Sequence, residues 1–430
     1  MTQTFTAKQW EGRSLRMKQK RRYHGAVLLH DDRILMTGGR NGRHVLGDHS
    51  SGAVAVATVA VAEIVNIANS SRNSTISSTI IPPRISRSDH TSVYINTNTN
   101  ANKSNNNYNH AYAYVIGGFD GLNKLKSVER INVDVPSPRW EAVADMNYAR
   151  RGCAAAASTH QDKLFVFGGY DENGTNVPIV EYLDITASES TSTRPNEDTK
   201  INNKWTVIAG SQMKIPRYDH AAVTVGNRIY VIGGIDSNGN KLTGIEIFDT
   251  TTKSFVGDGD DGSALPIPMS SMSAVVLDLE LEEENNYDNK YILITGGKMT
   301  DNHVIGESYF LNTSNSNAEW QIINVPLQTP RYGHAAVLMN NGTIIVCGGR
   351  GSDHIDLDSI ETISSLDLIP RETLINDYRN EFSAERGYEI VDDNGLNVYI
   401  DEDDDDENAN DSGDCFGICN ILKQLFIHRF

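Results

Sequence analysis

The chain is short of cysteine, of positive charge and of long apolar runs, and each shortage excludes a class of protein. Four cysteines in 430 residues (Cys153, Cys347, Cys415 and Cys419) do not make a disulfide scaffold. Cys153 and Cys347 lie inside apolar runs and read as core, while Cys415 and Cys419 form a C-x3-C pair with no second pair to complete a zinc site. No segment approaches the ~20 apolar residues that cross a bilayer, so no transmembrane segment is expected. The opening MTQTFTAKQWEGRSLRMKQKRR contains no apolar stretch of the kind a secretory signal needs. An intracellular, reducing setting follows, in which sequons such as those at Asn173 and Asn341 stay unmodified. Lysine and arginine number 38 against 56 acids, a net charge of −18, which excludes nucleic-acid binding through a broad basic surface.

Part of that acidity is local. DEDDDDE, Asp401 to Glu407, reads as a solvated tail, with docking on a basic partner as its functional alternative. The ending CFGICNILKQLFIHRF reads as a short helix packed on the domain, a partner-docking segment or an acylated anchor. RMKQKRR, Arg16 to Arg22, has the composition of a nuclear-import string. Arg21 and Arg22 already hold repeat positions, so cytoplasm is the expected location and the nucleus the alternative.

What the chain has in quantity is glycine in pairs. Doublets stand at Gly38–Gly39, Gly117–Gly118, Gly168–Gly169, Gly233–Gly234, Gly296–Gly297 and Gly348–Gly349, each closing an apolar run such as LFVFGG or IYVIGG. Residues of this type suit a pleated, buried strand. Upstream of each doublet lies a second apolar stretch, opened by His24, His90, His220 and His334 in four copies and by Cys153 and Met272 in the others. Arginine stands three residues before each of those histidines, at Arg21, Arg87, Arg217 and Arg331. Downstream comes a third run carrying Glu63, Glu129, Glu181, Glu246 or Glu361, and a fourth opened by Trp140, Trp205, Trp320 or the stand-in Phe255. The unit is four strands, a to d, and the doublets recur every 51 to 79 residues. That period and strand count are those of propeller blades.

In these doublets and tryptophans the sequence resembles the kelch-repeat family, over about residues 10 to 368. The resemblance implies an all-β, six-bladed kelch β-propeller of four-stranded antiparallel blades. Residues 1–368 form the propeller and 369–430 an acidic C-terminal extension, flexible in part and ending in a short apolar segment. Trp10 precedes His24 by the 14 residues that separate Trp320 from His334, so an N-terminal strand d is expected to close the last blade. The doublet is expected to be structural: its first glycine where blades crowd, its second at a turn of positive φ. No doublet is followed by the Lys-Ser/Thr and helix of a phosphate loop.

Successive loops of a meander alternate between faces. The Asn/Ser-rich and acidic insertions, Asn96–His110, Asp278–Asn289, Ala68–Ser78 and Thr186–Asn203, fall on the a–b/c–d face; of the long segments only Gly257–Pro268 falls on the other. The compact d–a/b–c face collects Arg22, Arg40, His44 and His49 from the first blade, then Ser88 and Phe119. Arg151, Tyr170, Tyr218 and Asp236 follow, then Lys298, His303, Tyr332, Arg350 and His354. Arg22, Arg40, Phe119, Arg151, Tyr170, Tyr218, Asp236, Tyr332 and Arg350 are the candidate binding residues, arginine and tyrosine being the types enriched at interface hot spots. Kelch propellers commonly engage partners through this face, so the resemblance implies an interaction scaffold with a protein partner. With too few residues before Trp10 for an effector domain, it is expected to act alone, as a monomeric propeller.

No catalytic residue, metal site or cofactor is assigned. The repeat histidines occupy equivalent places in different blades and form a ring without converging. His44, Asp48 and His49 cluster in one loop, which reads as polar before it reads as a metal site. The alternative is a sugar-modifying enzyme resembling the sialic-acid mutarotases, its carboxylate and arginines meeting at the centre of the same face. Asp120, Asp171 and Asp236, each two residues beyond a doublet, are the candidates, and they fit turn chemistry equally well.

Overall fold

A computed structural model describes residues 11–42, 44–45, 62–66, 78–80, 83–96, 111–158, 160, 162–185, 204–257, 264–278, 290–314 and 319–368. The chain divides into two units, and Met1–Leu277 with Lys290–Leu368 holds the strands; the other unit, Asp278–Asn289 with Ile369–Phe430, lies outside the described residues apart from Asp278. The first unit is an all-β propeller of six antiparallel blades.

Blade I pairs Gly25–Leu28, Arg33–Thr37, Ala62–Asn66 and Ser78–Ile80 in that order. Blade II uses Thr91–Asn96, Ala111–Ile116, Val128–Ile131 and Trp140–Val143; blade III uses Arg151–Ala157, Lys163–Tyr170, Ile179–Asp184 and Thr206–Gln212. Blade IV is Ala221–Val225, Arg228–Ile232, Ile245–Asp249 and Ser254–Phe255. Blade V pairs Ser273–Asp278 with the long hairpin Lys290–Met299 and Val304–Asn312, then Gln321–Ile323. Blade VI joins Ala335–Leu338, Thr343–Cys347 and Ser359–Ser364 to the N-terminal strand Glu11–Arg16, as the tryptophan spacing predicts. Gly12 faces Glu361 and Arg16 faces Ser359, so the free edge of the last blade is covered and the ring is closed within one chain.

The core lies between blades. Strand b is buried almost throughout, for instance 0% exposure at Leu164, Phe165, Val166 and Phe167. Five apolar clusters each join two neighbouring blades, and Trp140, Trp205 and Trp320 on the outer strands point back into them. Sequence-distant strands are thus tied by burial on both sheet faces, which is why the repeats carry near-continuous apolar runs.

Both glycines of each doublet have positive φ, from 54 to 115°. The first also makes room for the next blade: a Cβ on Gly168 would stand 2.3 Å from the Arg217 carbonyl and 2.5 Å from His220 Cε1. The second packs on its own blade, a Cβ on Gly234 falling 2.7 Å from His220 Cβ, so crowding constrains both positions and not the first alone. The N–H of the second glycine then donates across the blade boundary, from Gly118 to the Arg150 carbonyl (2.7 Å) and from Gly349 to that of Arg21 (2.8 Å).

Each repeat arginine is wholly buried and meets its strand-c glutamate: Arg21–Glu63 at 2.5 Å, Arg87–Glu129 at 3.3 Å, Arg150–Glu181 at 2.9 Å, Arg217–Glu246 at 2.6 Å, and Arg331–Glu361. The guanidinium also donates to the first doublet carbonyl, Arg217 Nη1 reaching Gly233 O at 3.1 Å and Gly244 O at 2.7 Å. The glutamate accepts backbone N–H groups from the d–a connection, Lys214 at 2.7 Å and Ile215 at 3.1 Å in blade IV. In blade V both partners are replaced: Met269 stands where the arginine would be, and Tyr309, opposite Ile294, stands where the glutamate would be. Both belong to one apolar cluster. Removing one member of a buried ion pair strands a charge and costs about 3–5 kcal/mol, whereas exchanging both for apolar groups can be neutral. Arg217→Met or Glu246→Gln alone is therefore expected to lower stability by about that amount. Arg217→Met with Glu246→Tyr, the solution blade V already uses, should be more stable than the Arg217→Met single variant in denaturant titration.

Candidate functional site

The mouth of the axis on the d–a/b–c face is built by two concentric sets of residues. The inner set is the residue before each strand-a opener: Tyr23, Asp89, Gly152, Asp219, Ser271 and Gly333. All six have φ between 51 and 67°. Each N–H donates to the carbonyl of the preceding blade's member at 2.7–2.9 Å, and Tyr23 N–H to Gly333 O completes the circle. Six backbone hydrogen bonds thus form a closed ring around the axis. Below it, four residues from each blade line a central cavity of about 230 Å³, with alanine, glycine and the repeat histidines prominent.

The outer set sits one residue earlier and bridges to the residue after the doublet: Arg22 to Arg40, Ser88 to Phe119, Arg151 to Tyr170, Tyr218 to Ile235, Ser270 to Lys298, and Tyr332 to Arg350. Most of the candidate residues therefore stand on paired backbone above the doublets instead of in free loops. Their side chains interlock. Arg151 lies 4.6 Å above Phe119 and 5.6 Å from the Tyr170 ring, and Tyr170 meets Tyr218 edge-on at 4.9 Å. Arg40 lies 4.8 Å over Tyr23, which meets Tyr332 at 6.1 Å.

Arg22 and Tyr332 are buried, with 7% and 6% exposure, and anchor the face from within. Arg22 is paired with Asp356, which also lies 3.7 Å from Arg350. Arg40, Phe119, Arg151, Tyr170, Tyr218 and Arg350 are half-buried with accessible edges. Asp236 holds its own turn, its Oδ1 accepting the N–H groups of Asn238 (2.9 Å) and Asn240 (2.8 Å). Asp120 and Asp171 do the same for theirs. The carboxylates that reach the axis are Asp89 and Asp219. Asp89 accepts from Ser88 Oγ at 2.6 Å and faces both Arg40 and Arg151 at 3.4 Å. Asp219 has Ser271 Oγ at 3.4 Å. Enclosure and the nearby Asp89 raise its carboxyl to about 7, against the pull of Arg151 and Arg40. The one signal in the sequence for this inner set is a residue tolerant of positive φ before each opener, aspartate or glycine in four of six copies.

His24, His90, His220 and His334 are buried in equivalent places. Burial and neighbouring arginines hold His90, His220 and His334 at about 3, and His24 well below its ordinary value. His24 Nε2 meets Cys347 Sγ at 3.5 Å and His90 Nε2 meets Thr37 Oγ1 at 2.9 Å. Among the described residues no group of three His, Cys, Asp or Glu is placed to hold a metal. Asp48, His49, Cys415, Cys419, the acidic block and the side chain of His44 lie outside the described residues.

Comparison with known proteins agrees with the repeats. The KLHDC2/KLHL20/DRC7 Kelch-repeats domain matches residues 103–281. The chain is a kelch-repeat β-propeller. It is 23% identical over 267 residues to Adagio-like protein 1 of Oryza sativa subsp. japonica, covering 58% of this chain and 39% of that protein. It is 25% identical over 248 residues to Adagio protein 3 of Arabidopsis thaliana (55% and 36%) and 28% identical over 162 residues to Kelch-like protein 35 of Mus musculus (32% and 28%). The matched region of this kelch propeller thus spans less than two fifths of each of these relatives.

The titrations at the mouth have opposite signs. A histidine held neutral in the fold, with its pKa below the unfolded value, stabilises above about pH 6.5 and loses that contribution as pH falls toward 3. Asp219, raised from 3.8 to about 7, favours the fold while protonated and loses that contribution as pH rises through 7. Asp219→Asn removes this falling contribution, which acts between about pH 4 and 7, so the stability of the variant is expected to rise more steeply with pH across that window than that of the wild type. Thermal unfolding followed across that range checks it, and an unchanged slope would contradict the enclosure of this carboxyl.

Proposed function

We propose that this propeller is a protein-interaction scaffold that docks its partner on the d–a/b–c face. The observation that carries the reading is the set of cross-strand pairs, which present arginine and tyrosine on backbone already ordered by hydrogen bonds. A platform ordered in advance avoids most of the entropy cost of binding. Apolar tips rise beside it: Leu122, 83% exposed, on the b–c loop of blade II, and Ile355, 51% exposed, on that of blade VI. Kelch-like proteins bind protein partners, which supports the same reading. A sugar-modifying site at the axis is the weaker account, because Arg40 and Arg151 are engaged with Asp89 and the loop aspartates hold their own turns.

The test is affinity capture with the variant Leu122→Ser/Tyr170→Ala/Tyr218→Ala against a control, Val207→Ser/Ile322→Ser, on exposed positions of the outer strands. Both should retain near wild-type melting temperatures. Partners are expected to be lost, by tenfold or more, in the first and kept in the second. Recovery of the same proteins at the same level by all three would place docking elsewhere.

A further inference from the structure

One sector of this face gathers cations faster than it neutralises them. Lys298 comes from the b–c hairpin of blade V, and its Nζ sits 4.5 Å from the centre of the Tyr332 ring. Tyr332 is paired in register with Arg350 of blade VI. Lys241, from the b–c loop of blade IV, reaches across to Asn302 Oδ1 at the tip of the same hairpin (3.4 Å). Three blades therefore each bring a cation to this sector, where Arg350 Nε donates to the His354 carbonyl at 2.7 Å and Asp301 acts on Lys241. Asp356 is committed to Arg22 and to the N–H of Gly42, and lies 3.7 Å from Arg350. Asp301 accepts the N–H of His303 in its own turn. Among the described residues neither Lys241 nor Lys298 has an ion pair within 4.0 Å. The Lys298 ammonium is held below its ordinary value, by desolvation first and then by Lys241, Arg350 and Arg22, with Asp219 opposing.

We propose that Lys241, Lys298 and Arg350 form a receptor for a phosphate monoester carried by the docked protein, as phosphoserine or phosphothreonine. The chemistry follows from count and shape. A carboxylate brings one charge and two oxygens, whereas a phosphate monoester brings nearly two charges and three acceptor oxygens. Two flexible ammonium groups act as point charges, and the arginine fork supplies directed donors. Cations on three different blades surround a tetrahedral ion more completely than a planar one. The aromatic floor of Tyr332 keeps Lys298 over the site in its absence. This inference rests on the reading of the face as a docking surface.

The test uses the full chain with inorganic phosphate and O-phosphoserine as probes, followed by calorimetry at low salt. Wild type is expected to bind both; Lys298→Gln and Lys241→Gln should each weaken binding at least tenfold, and Lys298→Arg should restore most of it. Partners captured by the wild-type chain should be released on phosphatase treatment. Phosphate binding that the glutamine variants leave unchanged, or that is absent from wild type, overturns the site. Phosphate binding with capture insensitive to phosphatase assigns the sector to a free anion and overturns the phosphoprotein reading, while the docking face stands. Capture insensitive to the Leu122/Tyr170/Tyr218 variant removes the face itself, whichever way the phosphate measurement falls.

Discussion

The buried arginine present in five of the six blades is the contact on which the other contacts of those blades hang. Its guanidinium binds the doublet carbonyl and the strand-c glutamate of its own blade, and its backbone carbonyl receives the doublet N–H of the blade before. One residue therefore fixes the b–c turn, the d–a connection and the seam between blades. Burial pushes the guanidinium down and the glutamate draws it back, most directly at Arg217 and Arg331. A desolvated cation is tolerated because most of its donors meet oxygens: Arg217 donates through Nε, Nη1 and Nη2, whereas the Nε of Arg21 and of Arg87 finds no acceptor. Above the doublet the geometry is the same in every blade: the residue after the arginine, or after Met269 in blade V, pairs with the residue after the glycines, and the next turns with positive φ into strand a.

That sequence of constraints explains which parts of the fold can be read directly from the residues. The doublets recur in all six blades, the arginines and glutamates in five and the histidines in four, because packing makes the same demand at each blade, and closure by the N-terminal strand follows from the tryptophan spacing. Arg150 completes the arginine set although Cys153 stands in place of its histidine, because the clamp depends on the arginine and its glutamate, and the histidines instead pack against the first doublet glycine of the preceding blade. The inner ring is harder to see. Its members share a backbone conformation and not a side chain, so Tyr23, Asp89, Gly152, Asp219, Ser271 and Gly333 look unrelated until their hydrogen bonds are drawn. The candidate binding residues show the same division. Their place on one face follows from strand order, but the burial of Arg22 depends on Asp356, some 334 residues away, which no local pattern announces.

Charge is distributed with the same logic. The whole chain carries −18, seven acids of it in one block, yet the cations of the d–a/b–c face stand close to the axis. Around them Asp120, Asp171, Asp236 and Asp301 spend their carboxylates on their own turns. Acidic groups at the loop tips thus stabilise short loops, while nearer the axis Arg22, Arg40, Arg151 and Arg350 stand against Asp356 and Asp89. Cations and carboxylates that alternate near the axis favour a partner with the complementary charge pattern and disfavour one in which it is reversed.

Blade V shows how the architecture can exchange one means of support for another. It lacks the arginine–glutamate pair, and it has the longest hairpin of the six: strands of 10 and 9 residues, paired from Tyr291↔Asn312 to Lys298↔Val304 with a register shift at the doublet. In other blades the b–c connection is held from beneath by a guanidinium; here the strand ladder itself continues past the doublet. Met269 still supplies the carbonyl that receives the Gly234 N–H at 2.9 Å, so the seam survives without the charge. This ladder carries Lys298, whose Nζ stands 4.5 Å from the centre of the Tyr332 ring. Lys298 follows its doublet as Arg40 and Arg350 follow theirs in blades that keep the buried arginine, so the cation above the ring is placed by the turn after the glycines and does not depend on the charge beneath it.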